Sequence, residues 1–198
     1  MIQQGNLPTL LSADRIANLV KYSHYASRLE GHVAEIGTYK GGSLEMLAKL
    51  NQNTTVYGID SFSGLPEPKM GEFHHQGDFS DVDYASIAGY FKMMHPNVRI
   101  LRGFTPEVFT FFDETARFRF VHIDVDLYTS VLDSLTFFLP RVTVGGVIVL
   151  DDYKVNSTPG CKKAVDEYFS NHSCTHREEL KYFNTESSDS CYQYLIVK

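Results

Sequence analysis

Apolar, β-rich runs alternate along this chain with stretches whose apolar residues recur at helical spacing. Ser12 suits an N-cap, and the segment from there to about Leu29 has a helical pattern. HVAEIG, His32–Gly37, reads as a first strand, and Gly42–Leu50 as the helix after it. TTVYGID, Thr54–Asp60, is a second strand; Asp81–Met94 is helical and precedes a third strand, Val98–Gly103. Pro106 fits the first turn of a short helix, where its missing N–H costs nothing. FRFVHIDVD, Phe118–Asp126, is a fourth strand, followed by a helix from Ser130 to Leu139 that Pro140 should stop. VTVGGVIVL, Val142–Leu150, is a fifth strand, and Cys161–Asn171 a further helix. Two β-rich pieces, Glu179–Phe183 and Cys191–Val197, flank a polar, turn-like stretch and read as a closing hairpin.

Strand alternating with helix predicts one α/β domain over residues 1–198. Its sheet should be mostly parallel and seven-stranded, with helices on both faces and the hairpin as an antiparallel edge. In such sheets ligands bind at the carboxyl ends of the strands. The chemically unusual residues fall there: Gly37–Ser43, Asp60, Gly103–Thr105, Asp124–Tyr128 and Asp151–Tyr153 each follow a strand. The stretch Ser61–Ser80 is too long for a plain connection and leaves the same face, so it reads as a lid. A surface insertion without a role is the alternative.

Composition narrows the partners. With 198 residues, 43% hydrophobic and 21% charged, the chain has the balance of one globular domain. A net charge of −6 offers no basic field for nucleic acid or an anionic membrane, which favours a small polar substrate. The N-terminal stretch reads as neither signal peptide nor membrane span. Cys161, Cys174 and Cys191 form no CxxC pattern and read as reduced thiols of a cytoplasmic protein.

The first strand–loop–helix runs Glu35-Ile-Gly37-Thr38-Tyr-Lys-Gly-Gly-Ser43. Its glycines allow a tight turn but lack the GxGxxG spacing of a dinucleotide site. Glu35 would repel a pyrophosphate, whereas the ammonium and sulfonium of S-adenosylmethionine suit a nearby carboxylate. The carboxylate of that cofactor could sit at the helix N-terminus near Gly42 and Ser43. Asp60 can accept two hydrogen bonds from vicinal ribose hydroxyls, or cap the turn that follows. Gly103 and Phe104 could offer backbone approach and a ring face to adenine.

The sharpest signal is HIDVD (His122–Asp126) paired with LDDY (Leu150–Tyr153). Adjacent strands would gather Asp124, Asp126, Asp151 and Asp152, whose mutual repulsion raises their pKa values. The nearby sequence offers only Lys154 and Arg141 as counter-charges, so a divalent cation is the economical partner. All-oxygen ligation suits Mg²⁺, Mn²⁺ or Ca²⁺. His122 reads as a packed strand residue, and His74 and His75 as loop histidines without a ligand role.

EIGTYKGGS, DSFSGLP, HIDVDLYTS, GGVIVLDDY and PGCKKAVDEYF together resemble the macrocin O-methyltransferase family over roughly Val33 to Phe169. The resemblance implies a Rossmann-like class I methyltransferase fold and S-adenosylmethionine-dependent methylation of sugar hydroxyls. It implies metal ligation by Asp124, Asp151 and Asp152, and a general base at Asp126. It implies cofactor contacts at Glu35, Gly37, Thr38, Ser43, Asp60 and Ser61, with Asp124 also near the cofactor. The stretch before the first strand is shorter than antibiotic-tailoring members usually carry, which points away from a large macrolide acceptor. The expected acceptor is therefore a sugar or another small vicinal diol, and the chain could form a homo-oligomer. The rivals are a catechol-type O-methyltransferase and a non-catalytic nucleotide-binding module. A dinucleotide-dependent oxidoreductase is disfavoured by the glycine spacing.

Overall fold

The computed structural model describes residues 6–69, 71–183 and 190–198. Helix α1 (Ala13–Ala26) leads into β1 (His32–Ile36), α2 (Gly42–Leu50) and β2 (Val56–Asp60). Helix α3 (Tyr84–Met94), β3 (Val98–Arg102) and a 3₁₀ turn (Glu107–Phe111) follow. The chain then forms β4 (Phe118–Ile123), α4 (Tyr128–Arg141), β5 (Val142–Tyr153) and α5 (Pro159–Asn171). It closes with β6 (His176–Phe183) and β7 (Ser190–Val197).

These strands form a seven-stranded sheet in the order β3-β2-β1-β4-β5-β7-β6. Pairings from β3 through β5 are parallel, and β7 pairs antiparallel with both β5 and β6. The expected sheet and closing hairpin are therefore present, although the polar turn within the hairpin lies outside the described residues. Period-two alternation splits the apolar residues between two faces. Ala34, Ile36, Val121, Ile123, Ile148 and Leu150 pack with α4, α5 and the 3₁₀ turn. Val33, Phe120, Val147 and Val149 pack with α1, α2 and α3.

Local chemistry sets several boundaries. Ser12 caps α1 by accepting from the Arg15 N–H, as expected, but the helix ends at Ala26. Helix α3 starts later than the pattern suggests because Asp83 caps it, accepting from the N–H groups of Ala85 and Ser86. Pro140 does not stop α4, which runs one residue past it. So close to the helix end a proline forfeits a single intrahelical bond, and its fixed φ is a helical one. Pro106 stands at the N-cap of the 3₁₀ turn, not inside its first turn.

The fourth strand also stops short of its expected end. It closes at Ile123, leaving Asp124–Asp126 in the loop, and Asp126 adopts a φ of 58°. Strand β5 runs on through Asp151 and Asp152 to Tyr153. The register places Ile36 beside Ile123 and Ile123 beside Leu150, so the ends of β1, β4 and β5 lie level. That alignment brings Gly37, Asp124 and Asp151 to one edge.

Candidate active site

A cleft of about 620 Å³ opens at the carboxyl ends of the parallel strands. On one side it is lined by Gly37, Thr38, Ser43, Asp60, Ser61, Gly103 and Phe104. Gly37 has a φ of 89°, and a Cβ there would collide with the Asp124 carbonyl. Only glycine allows the first loop to pass that close to the acidic turn. Asp60 ties two loops together: its carboxylate accepts from Tyr39 N–H and from Phe62 N–H, each at 2.7 Å. The turn-capping role foreseen for Asp60 is thus realised, on a carboxylate that also lines the cleft.

Glu35 lies elsewhere. Its side chain is fully buried and meets His122, with Oε1 at 2.9 Å from the ring Nδ1. Asp151 sits on the other side of the same ring, Oδ2 at 3.8 Å from Nε2, an ion-pair distance and not a hydrogen bond. Burial opposes a charge on His122, but Asp151 and Glu35 more than offset it and push the pKa up to about 10. The histidine is packed in the strand as expected, and it is also a cation.

Asp151 is 2% exposed and held by several groups. Oδ1 accepts from the Asp152 N–H at 2.9 Å and pairs with Arg15 at 3.3 Å, and Oδ2 accepts from Gln193 at 3.3 Å. Burial works against its charge, but His122 and Arg15 hold Asp151 below the usual carboxylate range. Among the described residues, Arg15 and His122 are thus the cations paired with Asp151. Lys154 pairs with Glu179, and the Arg141 guanidinium lies over the Phe137 ring. Sequence reasoning missed Arg15 because nothing in local spacing links the first turn of α1 to a strand far along the chain.

Asp124, Asp126 and Asp152 face the cleft, each offering an oxygen within 4.8 Å of the others. Asp126 and Asp152 keep 17% and 14% side-chain exposure, so the group is open to a ligand. Burial and the charge of Asp151 raise the Asp124 pKa well above its ordinary value. Burial and Asp152 do the same for Asp126. Burial, with the charges of Asp151 and Asp124, brings Asp152 up to about 7. A second group, His122, Asp124 and Asp151, lies deeper. All three outer donors are carboxylate oxygens, which fits a hard divalent cation.

Two further segments complete the cleft. Residues Pro8 to Ser12 line it from the N-terminal side, and a Cβ on Gly42 would strike the Pro8 carbonyl. The Ser61–Ser80 loop contributes Leu65, Pro66, His74 and Phe79. His74, read from sequence as idle, places Nδ1 3.1 Å from Asp78 and Nε2 3.8 Å from Asp126.

Known proteins resemble this chain in sequence and fold. The family model for macrocin O-methyltransferases matches residues 8–181. Demethyldecarbamoylnovobiocin O-methyltransferase of Streptomyces niveus is 28% identical over 186 residues, covering 83% of this chain and 68% of the relative. An 8-demethyl-8-(2,3-dimethoxy-alpha-L-rhamnosyl)-tetracenomycin-C 4'-O-methyltransferase of Streptomyces olivaceus is 26% identical over 159 residues, covering 72% of this chain and 59% of the relative. The solved O-methyltransferase NovP superposes with a TM-score of 0.70 at 26% identity, covering 93% of this chain and 80% of its own. With the family model spanning most of its length and a class I methyltransferase fold around the cleft, this chain belongs to the macrocin O-methyltransferase family and is an O-methyltransferase.

Proposed function

We propose that the enzyme transfers a methyl group from S-adenosylmethionine to a hydroxyl of a sugar or another small vicinal diol, with a divalent cation at the acidic cluster. The observation that carries this reading is the shared cleft. The outer carboxylates, Asp124, Asp126 and Asp152, open onto the same space as the Gly37–Ser43 loop and Asp60. The sugar class is supported by the Streptomyces olivaceus relative, whose name places its methyl group on a rhamnosyl-bearing compound.

In this reading Gly37, Thr38, Ser43, Asp60, Ser61, Gly103, Phe104 and Asp124 surround the cofactor. Asp60 would bind the ribose hydroxyls, and the start of α2 would receive the cofactor's carboxylate. Glu35 acts from behind, by fixing His122. Asp124 and Asp152 would hold the cation, Mg²⁺ or else Mn²⁺ or Ca²⁺, from the cleft, with Asp151 joining them from the inner group it shares with Asp124. Bound there, the ion would supply Lewis-acid chemistry, acidifying the accepting hydroxyl. Asp126 takes the hydroxyl proton as general base. The cleft walls bring the oxygen in line with the methyl group, and much of the acceleration comes from that positioning.

Transfer of label from S-adenosylmethionine to methyl rhamnoside and to catechol, with Mg²⁺ or with excess chelator, tests the reading. Product with Mg²⁺ and none with chelator is expected, with methyl rhamnoside preferred. Full turnover in chelator at negligible metal content would refute the metal role, and a preference for catechol would move the substrate to aromatic diols.

A further inference from the structure

Helix α4 begins two residues after Asp126, and its N-cap, Leu127, brings no side chain to the free N–H groups of the first turn. The N-cap of α5, Thr158, makes no side-chain cap bond either. A carboxylate from the Ser61–Ser80 loop supplies what α4 lacks. Glu72 Oε1 accepts the Tyr128 N–H at 2.6 Å, and Oε2 accepts the Lys69 N–H at 2.9 Å within the loop. A Cβ on Gly160, in the first turn of α5, would collide with that same Oε1 and crowd the Tyr128 nitrogen. The positive ends of two helix dipoles thus meet one negative group. The Lys69 ammonium, 5.1 Å from the centre of the Tyr128 ring, adds a second tie between loop and helix.

The same contacts govern the acceptor side of the cleft. Downstream of Glu72 the loop presents His74 and Phe79 to the cleft, with His74 Nε2 3.8 Å from Asp126. The turn at Asp126 is held from α5 by the Cys161 thiol, which donates to the Asp126 carbonyl at 3.2 Å. Glu72 therefore stands where the loop, α4, α5 and the acidic turn join.

We propose that Glu72 is a positioning residue for methyl transfer: by capping α4 from the loop, it holds the loop over the cleft and fixes the turn that presents Asp126. The proposal rests on the reading of Asp126 given above. A mere helix cap would contribute stability and leave catalysis alone, so the test needs a readout that separates the two.

Glu72→Ala and Glu72→Gln remove the carboxylate fully or only in its charge. Gly160→Ala displaces it without altering Glu72. Hydrogen exchange of the loop is followed with S-adenosylhomocysteine and Mg²⁺ present, alongside kcat and KM on methyl rhamnoside. For Glu72→Ala, loss of charge-assisted hydrogen bonds should speed loop exchange by about 10- to 100-fold, with β4 and β5 unchanged. The kcat should fall by about 10-fold or more, on the same scale, while S-adenosylhomocysteine affinity holds. Gly160→Ala should act in the same direction. Glu72→Gln, which keeps a carbonyl acceptor, should recover part of both effects. A lower melting temperature with normal loop exchange and normal kcat would overturn the proposal, as would a loosened loop with normal kcat. If the unaltered protein methylates no acceptor, the functional reading fails on its own. The exchange measurement still decides whether Glu72 holds the loop, and normal exchange would overturn the proposal there too.

Discussion

His122→Leu perturbs the buried charge behind the cleft. Glu35 and His122 are 0% exposed and Asp151 is 2% exposed. Leucine fills much of the same volume but leaves both carboxylates without the imidazolium between them. Asp151 keeps Arg15 and Gln193, so Glu35 bears most of the loss. Removing one partner of a buried ion pair costs about 3–5 kcal/mol. The middle of that range is about 4 kcal/mol, and in a chain of this size each kcal/mol moves Tm by about 2–4 °C. Thermal unfolding at pH 7 in chelator should therefore show a fall of about 8–16 °C. Adding Glu35→Gln should raise the Tm of His122→Leu, because the second substitution removes the uncompensated charge. A Tm within about 2 °C of the parent would refute the buried ion pair, since that is less than 1 kcal/mol. So would a double variant less stable than the single one.

Three further outcomes follow from the site. Asp126→Asn should lower kcat by at least about 100-fold with Mg²⁺ affinity nearly unchanged in calorimetry; a parallel loss of Mg²⁺ binding would make Asp126 a ligand, and normal turnover would remove its role as base. Mg²⁺ should raise the Tm of the parent protein and not that of Asp152→Ala, since only a folded-state ligand site links binding to stability; an equal rise in both would place the ion elsewhere. S-adenosylhomocysteine should bind in the micromolar range and NAD not at all, and preferential binding of NAD in the same titration would end the cofactor assignment.

The order of strands and helices was legible because period-two and helical apolar patterns alternate without interruption, and the sheet sorts Ile36 and Val33 onto opposite faces accordingly. The chemistry at strand ends was legible for the same reason, since loops after parallel strands converge on one edge. What failed was local geometry. Asp124 and Asp126 both reach the cleft as expected, but not by strand alternation: β4 ends at Ile123, and the positive φ of Asp126 leads the chain into α4. A left-handed aspartate leaves no mark in hydropathy. Long-range charge was equally invisible: Arg15, Glu72 and His74 carry no signal beyond their own helix or loop, and only the fold brings them to the acidic turn. Glu35 was singled out for the right strand and the wrong direction, because alternation along β1 turns it toward His122 on β4.

The acidic cluster divides into two halves with different electrostatics. The inner half, Glu35 and Asp151, is compensated by His122 and Arg15, and Asp151 stays ionised despite its burial. The outer half, Asp124, Asp126 and Asp152, is pushed toward the protonated form by burial and by its neighbours. The inner pairing limits how far the outer one is relieved from within: His122 and Arg15 lie against Glu35 and Asp151, and Arg15 also reaches Asp152 at 3.7 Å. Spending them there keeps Asp151 as a fixed negative charge beneath Asp152, which raises the electrostatic cost of leaving the outer group empty and ionised. A divalent cation held at the cleft would take the place of the protons on the outer group, with Arg15 and His122 still balancing Asp151. The same logic makes Arg15 informative. Were it turned outward to pair with Asp124 and Asp126, it would offset one of the three outer charges and a cation would gain less. Held on Asp151 at 3.3 Å and near Asp152 at 3.7 Å, it sets its charge on the Asp151–Asp152 side of the cluster.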